Sequence, residues 1–320
     1  MIKKSLHTLL KLIISFALIV FLIKRIGISS IIEVISSVSL VWIGLALCIF
    51  LVSHCIGSYQ WWLLLQAEKI KINFFNALKF YFVGLFFNNF LPSSLGGDLF
   101  RMFDINKFSS KGTSAVFSVI IDRFMGFFVL SCFAVLAFPV IILENLFDQQ
   151  YITYFLIFIG IWVFILFLFF NKKVAQPFAW VYEKLAPEEI HLKTIEVYRK
   201  IHSFGRSRSL FIKLVFISIL IQSLRIFMHY MVSRSLDVNV SCKYFFFIIP
   251  FIAIISSLPI SIGGIGIRES IGMILFSSIA AIQNDVAVSI EFLAFLVAIF
   301  SSLPGGIIFI IRRKINKKNE

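Results

Sequence analysis

Leu91-Pro92-Ser93-Ser94-Leu95-Gly96-Gly97-Asp98-Leu99-Phe100-Arg101 recurs without gaps as Leu258-Pro259-Ile260-Ser261-Ile262-Gly263-Gly264-Ile265-Gly266-Ile267-Arg268. The two copies share Leu, Pro, Ser, Gly, Gly and Arg at a constant offset (258 − 91 = 167), about half the chain. Each interrupts an apolar run. Proline lacks an amide donor and ends an incoming helix. A Gly-Gly pair lets the backbone take φ > 0 and approach a neighbour closely. Each copy therefore reads as a broken helix that stops at Pro92 or Pro259, turns at Gly96-Gly97 or Gly263-Gly264 with Gly266, and leaves carrying an arginine. A third Leu-Pro-Gly-Gly, at 303–306, lacks the arginine and reads as a kink or close-packing site.

The chain around these breaks is 60% hydrophobic over 320 residues, with 40 Phe. A soluble domain of this size cannot hide that much apolar surface. Runs at 6–23, 41–65, 116–143, 151–170, 210–232 and 290–311 are candidate spans, since about 20 helical residues cross a hydrocarbon core. The net charge of +14 comes from 30 Lys+Arg against 16 Asp+Glu. The basic residues lie mainly between apolar runs, which points to topology and anionic headgroups rather than nucleic acid. Cys48, Cys55, Cys132 and Cys242 form no CxxC and no Cys/His cluster, so neither a disulfide framework nor a metal or other cofactor is expected. Lys3 and Lys4 precede the first run, and no small-residue cleavage site follows it. The run reads as an uncleaved helix with its N-terminus inside.

Parity fixes the rest. If 74–91 crossed fully, the strongly basic stretch 171–209 would lie outside, against the positive-inside rule. If 74–91 instead enters and returns, every basic loop falls in the cytoplasm. The second break must likewise start and finish outside. The expected fold is an all-α membrane protein with six full spans and two broken re-entrant pairs in an inverted-topology repeat. It forms one domain, 1–320, with half-repeats at 41–143 and 210–311. An amphipathic cytoplasmic linker at 171–209 joins them, and both termini are cytoplasmic. Non-helical backbone at membrane depth lies only in protein or beside a watery cavity, so the breaks imply a central polar cavity.

Charges inside apolar segments mark that cavity, because each costs at least about 2.5–3.5 kcal/mol to insert. Arg101, Arg123, Arg268 and Arg225 are the expected headgroup-binding residues, since guanidinium groups bind phosphate through two parallel hydrogen bonds. Asp98, Asp122, Glu269 and His229 are expected as cavity or ion-pair residues, with Asp122-Arg123 and Arg268-Glu269 pairing across the two halves. His54 and Gln60 read as helix-packing residues, and Asn88-Asn89 as caps of the break.

With these residues in view, the motif at 91–101, Asp122-Arg123 and the motif at 258–269 together resemble the lysylphosphatidylglycerol synthase transmembrane region. That group is also called the flippase-like domain or UPF0104 family. The resemblance covers about residues 5–315. It implies an inner-membrane protein of bacteria or archaea that handles lipids. In the two-domain aminoacyl-phosphatidylglycerol synthases, the corresponding domain is associated with moving lipid between leaflets. There a separate soluble domain performs aminoacyl transfer from tRNA; no such segment precedes Glu320, so lysyl transfer is not expected. The expected function is translocation of an anionic lipid (a phospholipid, polyprenyl-phosphate-linked lipid or glycolipid). The alternatives are a membrane-embedded headgroup transferase, with Asp98 and Glu269 as its acids, or an accessory subunit that anchors a separate lipid-modifying enzyme.

Overall fold

The computed structural model describes residues 37–90, 95–144, 149–170, 188–204, 207–258 and 264–318. Among them all regular structure is helical. The helices are α1 Leu40–Ala67, α2 Phe74–Phe90, α3 Gly96–Ser109, α4 Gly112–Leu143, α5 Gln149–Phe170, α6 Glu188–Phe204, α7 Arg208–Ser235, α8 Cys242–Ser256, α9 Ile267–Ala280 and α10 Asn284–Lys318. Four of them (α1, α4, α7 and, over Asn284–Arg312, α10) are long and apolar enough to cross a membrane. They coincide with four of the six expected spans. The 151–170 run is helix α5, of which Phe155–Phe164 forms an apolar core. The expected span at 6–23 lies outside the described residues, as do Pro92, Pro259 and Gly263.

Two quartets share one plan. Helices α1 to α4 have 28, 17, 14 and 32 residues, and α7 to α10 have 28, 15, 14 and 35. In each quartet a long helix leads to a pair of short ones and then to a second long helix. The short pairs are antiparallel hairpins. Phe87 stacks on Phe100 at 3.8 Å and Phe80 meets Phe108 at 6.5 Å, so α3 runs back along α2. Phe245 meets Phe276 at 5.3 Å, and Ile252 packs beside Gly272, so α9 runs back along α8.

The hairpins open at opposite ends of the bundle. The open end of α2–α3 lies beside the C-terminus of α1 and the N-terminus of α4. There the Lys111 Nζ donates to the Lys69 carbonyl at 3.0 Å, and Trp62 Nε1 to the Ile72 carbonyl at 2.9 Å. Helix α6 closes this end through Lys200 to Glu68 (2.6 Å) and Thr113 to Glu196 (2.7 Å). The open end of α8–α9 lies beside the C-terminus of α4, where Lys243 and Tyr244 both bond Glu144. Those two donors hold the Glu144 carboxyl below its ordinary range. Helices α1 and α7 run antiparallel in extensive contact, from Ser39 N–Ser235 O (2.9 Å) at one end to Ser218–Gln60 (2.7 Å) near the middle.

Small residues allow these approaches. A Cβ on Gly97 would overlap the Gly84 carbonyl, and one on Gly305 the Phe82 carbonyl. Gly305 belongs to the third Leu-Pro-Gly-Gly, which is a close-packing site of α10 on α2, with Pro304 inside the helix. The expected turn chemistry holds for one break and not the other. Gly264 and Gly266 have φ of 76° and 83°. Gly96 and Gly97 are instead the first residues of α3 and have no positive φ; their lack of a side chain serves the approach to Gly84. The second copy has Gly266 where the first has Leu99, and its extra left-handed turn delays the start of α9.

Gly97→Ala and Gly305→Ala are each expected to lower stability by about 1–3 kcal/mol or more through backbone overpacking. Gly44→Ala, whose Cβ meets open space, should not lower it. Thermal or SDS-induced unfolding midpoints in detergent check this; equal midpoints for all three variants would refute the packing assignment.

Candidate functional site

A cavity of about 360 Å³ lies where the two hairpins approach each other, lined by residues of α1–α4 and α7–α10. Its charged residues are Asp98, Arg101, Asp122, Arg123, Arg225, Arg268 and Glu291, with His54 and His229 beside them. A volume of roughly 300–1,000 Å³ is usual for ligand pockets, and a polar lining of this density in an apolar bundle makes the cavity the candidate functional site.

The wall built by the first quartet is internally neutralised. Ser218 donates to Gln60 Oε1 (2.7 Å), Gln60 Nε2 to Asp122 Oδ1 (3.0 Å), and Arg101 Nη2 to Asp122 Oδ2 (2.8 Å). Arg101 Nη1 lies 3.5 Å from Asp98 Oδ1, and Arg123 Nε donates to Asp98 Oδ2. Two arginines and two aspartates thus join α3 to α4, and Gln60 and Ser218 extend the network to α1 and α7. The Arg101 guanidinium also sits over the rings of Trp61 (4.2 Å) and Tyr81 (4.5 Å), where cation–π attraction adds to the ion pairs. The expectation that Asp122-Arg123 pairs across the halves is therefore corrected. Its partners are Asp98 and Arg101 of its own quartet, because α3 lies directly on α4. Asn88 acts as a cap as expected, accepting the Gly97 N–H at 2.9 Å in the first turn of α3. Asn89 donates to the Ala298 carbonyl at 3.2 Å.

The other wall is richer in cations. Arg225 and His229, four apart on α7, both line the cavity, as do Arg268 on α9 and Glu291 on α10. His229 Nδ1 lies 3.0 Å from the Arg225 carbonyl. That oxygen can only accept, so Nδ1 carries the proton and Nε2 faces Glu291 Oε2 at 3.9 Å. Arg268 places its guanidinium over Phe295 (4.8 Å) and against Gly264. Glu269 is the second correction. It does not line the cavity; its carboxylate accepts the Gly266 N–H at 2.7 Å and caps α9. A glutamate at this position of a helix satisfies an orphan amide there. Although the sequence motifs align, Arg268 is the second residue of α9 while Arg101 is the sixth of α3, so the two arginines are not equivalent in space.

Several buried polar atoms of this lining have no hydrogen-bond partner among the described residues: His54 Nδ1, Arg101 Nε, Arg225 Nε, Ser256 Oγ and Glu291 Oε1. Each costs about 1–3 kcal/mol if left so, which concentrates unmet polar demand in the residues around the cavity. No group of three or more His, Cys, Asp or Glu able to hold a metal occurs among the described residues.

The sequence pattern over this whole arrangement matches the family described as "Lysylphosphatidylglycerol synthase TM region" along residues 8–306. The chain belongs to the lysylphosphatidylglycerol synthase transmembrane-region family. It is 26% identical to a UPF0104 membrane protein of Pyrococcus horikoshii, covering 96% of this chain and 97% of the relative. A UPF0104 membrane protein of Methanocaldococcus jannaschii is 25% identical over 99% of this chain and 98% of its own length.

The cavity also holds a residue absent from the sequence expectations: Glu291, at the edge of the apolar run 290–311, is carried into the bundle because α10 begins at Asn284, about two turns earlier. His54 and Gln60 read as packing residues and line the cavity. Asp104 and Arg312 read as loop and tail, yet Arg312 holds Asp104 with two bonds of 2.6 and 2.9 Å, tying α10 to α3.

Arg101→Gln is expected to destabilise the protein by about 3–5 kcal/mol, because it strands buried carboxylates. Arg101→Gln combined with Asp122→Asn should cost less than the two single changes summed. A double-mutant cycle on SDS-unfolding midpoints measures the coupling; strict additivity would contradict the pairing.

Proposed function

We propose that the protein moves an anionic lipid between leaflets, with α2–α3 and α8–α9 as re-entrant hairpins forming an inverted-topology repeat. The observation that carries this reading is the cavity between the two hairpins, lined by four arginines against Asp98, Asp122 and Glu291. The matching helix lengths of the two quartets and the opposite ends at which the hairpins open support the inverted arrangement. Lys69, Lys71, Lys107, Lys111, Lys200 and Arg312 gather at the end that α6 covers. By the positive-inside rule that end faces the cytoplasm, in a cell inner membrane, with both termini on that side.

Arg225 and Arg268 hold the headgroup phosphate in this reading. Arg101 and Arg123 are committed to Asp122 and Asp98 and form the opposite wall. A cavity of about 360 Å³ takes a headgroup and not two acyl chains, so the chains stay in lipid while the headgroup crosses. A second reading, headgroup transfer within the membrane, draws on the buried His229–Glu291 pair as a source of a general base.

In proteoliposomes with a leaflet-resolved assay, the protein is expected to accelerate movement of phosphatidylglycerol over phosphatidylcholine. Arg225→Gln and Arg268→Gln should each slow it about 10–100-fold, as loss of a charge-assisted bond of 1.5–3 kcal/mol implies. Unchanged rates in both variants would remove the headgroup site, and equal rates for the two lipids would remove the anion preference. Product formed by purified protein from phosphatidylglycerol and a headgroup donor would favour the transferase. For topology, a cysteine at Lys107 should label from the cytoplasmic side and one at Asn284 from the other.

A further inference from the structure

We propose that Glu291, with His229, is a proton-binding site that couples proton uptake to anion binding in the cavity; the coupling, though not the proton site, rests on the anionic-headgroup reading above. Glu291 is 1% exposed, and its Oε1 has no hydrogen-bond partner among the described residues. The residue lines the cavity, while the unpartnered oxygen itself is buried. An ionised carboxylate buried with an unsatisfied oxygen is costly, and accepting a proton removes that cost.

The surroundings are set for the exchange. His229 on α7 places its Nε2 3.9 Å from Glu291 Oε2, with its Nδ1 proton engaged by a backbone carbonyl. A small movement of either side chain closes that gap to a hydrogen bond. The other charged or titratable groups facing this region are Arg225 on α7, Arg268 and Glu269 on α9, His54 on α1 and Tyr81 on α2. Glu269 is committed to the Gly266 amide. Gly272 lies against the Glu291 side chain, and a Cβ there would come within 2.5 Å of Glu291 Cγ. The carboxyl is therefore held in one place by α9.

Electrostatics supply the coupling. With every carboxyl ionised, the cavity lining carries four guanidinium groups against Asp98, Asp122 and Glu291. A proton on Glu291 cancels one negative charge of the lining, beside the guanidinium groups of Arg225 and Arg268. An anion then binds more tightly when Glu291 is protonated. By reciprocity, anion binding draws a proton onto Glu291 from bulk water. The only bond change is O–H: hydronium gives its proton to a Glu291 carboxylate oxygen as the anion enters, and the carboxyl returns it to water as the anion leaves.

The test uses the full chain in nanodiscs at low buffer strength with a pH-reporting dye, titrated with short-chain phosphatidylglycerol and, separately, inorganic phosphate. The expected result is uptake of up to one proton per bound lipid, and lipid affinity that rises as pH falls. Uptake should be lost in Glu291→Gln and kept in Glu269→Gln. Uptake with phosphatidylglycerol and none with phosphate assigns the site to a lipid headgroup; uptake with both assigns it to the phosphate group itself. Lipid binding without proton uptake overturns the proposal and leaves the headgroup reading standing. If no anion binds, the headgroup reading fails, and the proton site is then decided on ligand-free protein. Infrared difference spectra between about pH 5 and pH 8 should show a protonated-carboxyl C=O band that vanishes in Glu291→Gln and shifts in His229→Gln. Absence of that band in the wild-type chain overturns the site. Gly272→Ala, which displaces the carboxyl without removing it, should move the band if Glu291→Gln proves unstable.

Discussion

A helix interrupted within an apolar bundle leaves backbone amides and carbonyls that lipid cannot satisfy. Everything central in this protein follows from meeting that requirement inside the fold. Each short hairpin is enclosed by long helices from both quartets: α2–α3 lies against α4 of its own quartet and α10 of the other, and α8–α9 against α10 and α4. The amide of Gly97 finds Asn88, and the amide of Gly266 finds Glu269. Glycines at 84, 97, 272 and 305 set the approach distances. Each hairpin thus packs against a helix of the other quartet as well as one of its own.

That enclosure also explains the asymmetry of the cavity. The two quartets match in order and length but not in charge. In the first, α3 starts early enough that Asp98 and Arg101 both lie within its first two turns and meet Asp122 and Arg123 on α4. In the second, the left-handed turn at Gly264 and Gly266 delays α9, leaving Arg268 at its mouth and assigning Glu269 to capping. One wall is therefore closed and neutral, built for rigidity. The other presents Arg225, Arg268 and Glu291 to the cavity.

Ion pairs lie at both ends of this arrangement as well as at its centre. Arg312–Asp104 joins α10 to α3 at the end covered by α6, and Lys243–Glu144 joins α8 to α4 at the opposite end. Each links a hairpin to a long helix, so the hairpins are fixed at their open ends by charge and near their tips by glycine contacts.

The sequence by itself determined the membrane class, four of the long spans, the position of both helix breaks and the family. These are written in local chemistry: apolar run length, proline, paired glycines and a motif repeated at a fixed offset. It also placed Arg101, Asp98, Arg123, Arg225, His229 and Arg268 at one site, since a charge in an apolar run must face protein or water. Only the tertiary structure decided which charges are spent on one another. Pairing depends on which face of α3 meets α4 and on where each short helix starts, and the two motifs differ in that start, with left-handed residues at Gly264 and Gly266 only in the second. Glu291 stayed hidden for the same reason: nothing in a linear run says that α10 begins two turns earlier and carries a run-edge carboxylate into the bundle.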